Sequence, residues 1–222
     1  MNERVIVVGG TSGIGRATAA LLAELGADVV AAGRSAGGQD QVDATDRKSL
    51  QAFFERQGEF DHLVVCVSGG EGAGPLATVD LDAISRAFAA KTLAQLATVQ
   101  AALPTLRPGG SVTLVTAASA QGALPGTAGL AAVNGALEAS VRPLAAELAP
   151  VRVNAVSPGV IDTDWWAGMP AADRAAFFTD TAGRTPLGRV GRPQDIAATI
   201  AALVGSPFVT GQVIVADGGL TL

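Results

Sequence analysis

Residues 5–27 read VIVVGGTSGIGRATAALLAELGA, an apolar β-branched run that passes through Gly9, Gly13 and Gly15 straight into an amphipathic helical pattern. A strand, a glycine turn and a helix in immediate succession are satisfied by folding the helix back onto a parallel sheet. The glycines allow a sharp turn and a close approach of backbone to a pyrophosphate, which the free N–H groups and dipole of the helix start favour. A glycine-rich loop alone is weak evidence, but its position between a first strand and a first helix makes it strong.

Apolar runs alternate with helical patterns along the rest of the chain. Strands are expected at 4–8, 28–32, 63–67, 111–116, 152–156 and 212–215, with a weaker one at 39–43. Helices are expected at 13–25, 46–57, 80–102, 128–148, 171–178 and 193–204. The strands are short and apolar on both faces, as in a parallel sheet covered on both sides. Asp46 can cap the second helix, and Pro193 suits the first turn of the last. With no repeat or linker in sight, the expectation is one α/β domain over residues 1–222, a doubly wound parallel sheet. One connection is short. Only SAGGQDQV separates Arg34 from Asp43, whereas a crossover between parallel strands normally takes roughly a dozen residues or more. The sheet is therefore expected to be shortened between its second and third strands, with that edge trimmed or the third strand vestigial.

Composition removes several function classes. The net charge is -5 and its acids and bases are scattered, so no cationic face for nucleic acid is expected. Cys66 is the one cysteine and His62 the one histidine, which leaves no metal-ligand spacing and no metal site in prospect. Cys66 reads as a small buried hydrophobe, and His62 as a solvated residue just ahead of a strand. No leader segment and no apolar run long enough for a bilayer are visible, so a cytoplasmic protein without a membrane partner is expected.

About twenty residues after the glycine turn, an NAD-binding unit presents a carboxylate to the ribose. This chain reads AAGRS there, with Gly33 at the acid's position followed by Arg34 and Ser35. A guanidinium matches a 2′-phosphate in charge and geometry, which favours NADP(H) over NAD(H).

These segments together resemble the short-chain dehydrogenase/reductase family, over essentially the whole chain. Gly9, Gly13, Ile14 and Gly15, with Thr11 and Ser12 in the same loop, follow its TGxxxGIG pattern, Val8 replacing the Thr. Asp43 and Ala44 look like its adenine contact. In DHLVVCVSGG, Val65, Cys66, Val67 and Ser68 replace its NNAG, so Ser68 and Gly69 fall on the cofactor side. SPGVIDT looks like its PG motif, in which Pro158, Gly159, Ile161 and Thr163 would hold the nicotinamide carboxamide. GRPQDIA and FVTGQVIVADGG are similar to its closing segments. The resemblance implies a Rossmann fold, hydride transfer between carbonyl and alcohol, and a homodimer or homotetramer formed through helices 80–102 and 128–148.

At the chemical end the family's residues are replaced. The chain has no Tyr; Leu130 stands for the family's catalytic Tyr, Asn134 for its Lys, Ala117 for its Ser and Lys91 for its Asn. Lysine and asparagine look exchanged between two neighbouring helices, and a lysine stem is long enough to reach across. Lys91 is therefore expected to bind the nicotinamide ribose beside Asn134, and to donate a proton if burial lowers its pKa. The alternative is a solvated helix charge. Thr116 and Ser119 could polarise a substrate oxygen; Asp162 and Asp164 are further acids, more simply read as caps. Trp165, Trp166, Met169, Phe177 and Phe178 crowd into a loop at about 162–190, which suggests a lid over an apolar small-molecule substrate. Two other readings stay open: an inactive NADP(H) sensor or scaffold, and a non-redox enzyme on the same fold.

Overall fold

The computed structural model describes residues 3–222. Its strands are β1 (Arg4–Val8), β2 (Asp28–Ala32), β3 (Phe60–Val65), β4 (Leu106–Val115), β5 (Arg152–Pro158) and β6 (Val213–Ala216). They pair in parallel in the order β2-β1-β3-β4-β5-β6. The helices are α1 (Gly13–Glu24), α2 (Arg47–Gln57), α3 (Leu81–Ala87), α4 (Ala94–Ala102), α5 (Ala128–Glu147), α6 (Ala171–Arg184) and α7 (Pro193–Val204). This is the doubly wound sheet expected from the alternation of patterns.

Side chains leave a strand alternately to its two faces, and that period divides the core in two. Ile6, Val8, Leu63, Val65, Val112 and Leu114 join a cluster with Leu50, Phe53 and Phe54 of α2, Val99 of α4 and Leu137 of α5. Val5, Val7, Val64 and Val156 point the other way, onto Leu22 of α1 and Ile196 and Ile200 of α7. Asp46 caps α2 by accepting from the Lys48 N–H at 2.9 Å, and Pro193 opens α7. Among the described residues no helix is long and apolar enough to cross a membrane.

Four expectations need correction. Residues 39–43 form no strand: Gly38–Asp40 is a 3₁₀ turn, and one bridge, Gly33 to Gln41, is all that remains of the pairing. Ten residues cannot cross the sheet and return with a strand of useful length. His62 is not solvated but lies inside β3, buried, with Nδ1 2.8 Å from Ser111 Oγ on β4. β3 begins at Phe60 because that ring stacks on Phe54 at 5.8 Å between centroids. The helix expected at 80–102 is interrupted by a π turn, Phe88–Leu93, that carries Lys91. The helix expected to end at 178 continues to Arg184, through a polar stretch whose Thr181 is buried.

Phe54 sits between Phe53 and Phe60 with almost no solvent exposure. Phe54→Ala is expected to lower unfolding free energy by about 3–5 kcal/mol, read from the urea midpoint, because it opens a cavity under α2.

Candidate functional site

The site lies at the carboxyl ends of the strands. β1 ends in Gly9, whose φ of +84° belongs to the left-handed region and suits glycine. The N–H groups of Gly9 and Gly10 both donate to Ala32 O of β2, at 2.8 and 2.9 Å. A Cβ on Gly15 would stand 2.0 Å from Gly9 O, so α1 reaches the turn only because that position is bare. Ser12 begins α1 without a side-chain cap, and no acid occupies the first turn, so its N–H groups face outward unopposed.

Beside this turn Gly33 is buried against Thr11: a Cβ there would meet Thr11 Oγ1 at 2.9 Å. Ser35 Oγ donates to Thr11 Oγ1 at 2.9 Å, which ties the second loop to the first. Arg34 is exposed and lines an open cleft of about 750 Å³ with Gln41, Asp43, Ser49 and Arg56. Asp43 accepts from the Thr45 hydroxyl and N–H; these bonds, with the Arg34 charge, hold its carboxyl below the usual carboxylate range. Ala44 is buried beneath it.

From the other side come the residues after β5. Gly159 is bare against Asp217, where a Cβ would approach to 2.7 Å. Ile161 bridges to Gly191, which holds the loop down. Thr163 turns back toward the glycine turn, its Cγ2 3.5 Å from where a Cβ on Gly13 would be, and its Oγ1 caps the turn Asp164–Gly168. Trp165 Nε1 donates to Gly69 O at 3.2 Å, bridging this loop to the one after β3, where Ser68 Oγ also donates to Gly69 O. Trp166 packs on Trp165, Phe177 and Phe178, so the lid aromatics form one cluster.

Between these ends lies a polar group that joins the two halves of the sheet. Lys91 is buried, and its Nζ donates to the Thr116 carbonyl at 3.0 Å. Burial lowers the lysine to about 8, although the negative charge of Glu138 opposes the shift. The solvated-charge alternative for Lys91 is therefore set aside. The Cys66 thiol is pushed up to about 12 by burial, against the opposing charge of Lys91. Thr116 enters the group through its carbonyl, since its hydroxyl is committed to Glu138 Oε1 at 2.7 Å. Asn134 Nδ2 donates to Leu130 O at 2.9 Å and to Ser119 Oγ at 3.2 Å, while its Oδ1 is buried with no partner among the described residues.

Three contributors escape a reading of sequence alone. Glu138 stands one helical turn beyond Asn134 on α5 and accepts from Thr116, from Ser157 Oγ at 2.8 Å and from Gln121. Gln95, one turn beyond Lys91, is fully buried and donates to Val67 O and Val115 O, both at 2.9 Å. Arg56 shares the cleft of Arg34. The i+4 spacing from Asn134 and from Lys91 is the signal that could have found the first two.

A dinucleotide fits these residues. The turn after β1 is tight because its glycines are bare, the helix start it leads into is uncapped, the Arg34 guanidinium is exposed on the adjoining loop, and Asn134 Oδ1 is a buried acceptor.

A family model described as enoyl-(acyl carrier protein) reductase matches residues 8–221. The chain is 34% identical over 245 residues to cis-4-hydroxycyclohexanecarboxylate dehydrogenase of Sinomonas cyclohexanicum, covering 99% of this chain and 97% of that protein. It is 33% identical over 245 residues to carbonyl reductase family member 4 of Danio rerio, covering 100% and 99%. A solved structure of a small-chain dehydrogenase in complex with NADPH superposes with a TM-score of 0.93 at 36% identity, covering 100% of this chain and 99% of that one.

Lys91 binds its proton less tightly folded than unfolded. Between about 8 and the ordinary 10.5 the unfolded chain holds the extra proton, so this group makes stability rise with pH across that window. The stability of the wild type relative to Lys91→Met is expected to improve between pH 7 and 9 by ~1 kcal/mol, as urea unfolding would show. Cys66 acts in the opposite sense above its ordinary 9.0 but is common to both proteins. A difference that is flat in pH would contradict the burial argument.

Proposed function

The chain belongs to the short-chain dehydrogenase/reductase family, and on that footing we propose that it is an NADP(H)-dependent oxidoreductase with a non-standard proton-transfer site. One observation carries the reading: a tight glycine turn leading into an uncapped helix start, in a chain that matches end to end a dehydrogenase solved with NADPH. Bound NADP(H) would supply or accept the hydride.

In this reading the chain's own groups bind, orient and move the proton. The turn of Gly9, Thr11, Ser12, Gly13, Ile14 and Gly15 takes the pyrophosphate against the start of α1. Arg34 and Ser35 meet the 2′-phosphate, and Asp43 and Ala44 the adenine. Ser68 and Gly69 border the cofactor, and Pro158, Gly159, Ile161 and Thr163 orient the nicotinamide end. Lys91 gives one N–H to Thr116 O. Its other N–H groups serve the ribose hydroxyls, with Asn134 beside them, and an ammonium with a pKa of about 8 is an acid matched to neutral pH. Ser119, held by Asn134, is the hydroxyl best able to polarise a substrate oxygen.

The aromatic cluster around Trp166 points to an apolar carbonyl or alcohol under a lid at about 162–190. A homodimer or homotetramer belongs to the same reading, since Leu81, Leu93 and Leu103 stay exposed along or just beyond the helices expected to pair. A second reading, an NADP(H) sensor or scaffold without turnover, is favoured by one specific fact. The chain holds no Tyr; in this reading Leu130, Asn134 and Ala117 take the places of the family's Tyr, Lys and Ser.

Calorimetry distinguishes these readings in two steps. NADPH is expected to bind at least ~10-fold more tightly than NADH, with Arg34→Ala removing most of that preference and Lys91→Ala weakening both nucleotides. Oxidation of NADPH with apolar ketones then supports the enzyme; tight binding with no turnover in either direction supports the sensor. If neither nucleotide binds, both readings fail.

A further inference from the structure

Glu138 has no place in the family pattern read from the sequence, yet it accepts more side-chain hydrogen bonds than any other carboxylate at the strand ends. Thr116 Oγ1 and Ser157 Oγ meet Oε1 at 2.7 and 2.8 Å, and Gln121 meets Oε2. Thr116 directly follows β4 and Ser157 lies near the end of β5, and the chain segments are joined here by Thr116 N–H to Val156 O at 2.9 Å. Thr116 is thus held at both of its polar ends. Its hydroxyl goes to the Glu138 carboxylate and its carbonyl receives the Lys91 ammonium at 3.0 Å.

We propose that Glu138 is a positioning residue: its carboxylate, fixed by Thr116, Ser157 and Gln121, is the anion that keeps the Lys91 ammonium seated on the Thr116 carbonyl. A buried cation needs both a hydrogen-bond acceptor and a compensating charge. The carbonyl supplies the first and Glu138 the second. Among the described residues two titratable groups bear on Lys91, Glu138 from α5 and Cys66 from the end of β3. Cys66 stays a neutral thiol over the working range, because burial raises it to about 12. Thr116 and Ser157, from β4 and β5, carry no charge. Glu138 is therefore the one standing counter-ion. The proposal borrows from the reading above only that Lys91 is the working cation of the site.

The chain contains two lysines, Lys48 and Lys91, so lysine side-chain NMR on the full-length protein gives two resonances. Lys48 is exposed and serves as the internal comparison. Wild-type Lys91 is expected to titrate near 8. Glu138→Gln keeps the shape, and the Gln121 amide can turn over to meet it, so the charge is what is lost. The Lys91 midpoint is then expected to fall by about one unit. Glu138→Asp keeps the charge and is expected to hold the midpoint near the wild-type value. Thr116→Val, which leaves the carbonyl in place, should lower stability while moving the midpoint little. A folded Glu138→Gln protein with an unmoved Lys91, or a wild-type Lys91 that titrates together with Lys48, would overturn the proposal. Glu138→Ala gives the same test should the glutamine variant not fold. NADPH titration keeps the two readings apart. If the midpoint falls as expected but Lys91→Ala binds NADPH as the wild type does, Glu138 still anchors Lys91 and only the assignment of Lys91 to the cofactor fails.

Discussion

The open end of the sheet depends on how closely α1 approaches the turn that follows β1. With a Cβ-to-oxygen distance of 2.0 Å at Gly15, any side chain there would force the helix outward. A displaced α1 would lose its contact with α7 and uncover Val5 and Val7. The same turn is tied sideways by the paired N–H groups of Gly9 and Gly10 on Ala32 O, and is met from across the crevice by Thr163. Packing, hydrogen bonding and the uncapped helix start are thus one arrangement, and a change in one is passed to the others.

The centre of the site obeys a different constraint, the cost of a charge among apolar side chains. The π turn Phe88–Leu93 sets Lys91 between the layers. Thr92, bonded to Val133 O, and Gln95, whose Nε2 donates to the carbonyls of Val67 and Val115, flank it with hydrogen-bonded polar groups. Asn134 is too short to take over a lysine's reach. It bonds back to Leu130 O in its own helix, and what it offers the site is a single acceptor oxygen. The cation of this region thus sits just beyond the end of β4, on the Thr116 carbonyl, while Asn134 is a neutral amide on α5.

How much of this was legible follows from how local each signal is. The strands around Val5–Val8 and Val153–Val156 announced themselves because both of their faces are apolar, and the glycine turn because backbone geometry dictates residue type. The loss of a third strand was legible in the shortness of SAGGQDQV. That a lysine stem would reach inward could be argued from its length, but the Thr116 carbonyl as its partner could not, since backbone groups leave no mark in a sequence. His62 misled because its burial rests on Ser111, about fifty residues away. Glu138 stayed hidden for the same reason: on α5 it looks like any helix glutamate, and its meaning comes from three side chains brought in from elsewhere.

The abbreviated crossover has a consequence for how the molecule behaves among its own copies. Where a longer chain would lay a further strand, β2 is left on the rim of the sheet with a single bridged pair beside it. At the opposite rim β6 carries the exposed Ile214 and Val215. Unpaired rims invite another chain to add on, and brevity is one defence, because a five-residue or four-residue strand offers few rungs to a newcomer. Asp28, exposed at the head of β2 and paired with Arg4, adds a charge at the place where such a strand would begin to zip. The shortness of the segment after β2 thus leaves that edge open, while the shortness of β2 itself limits what can add to it.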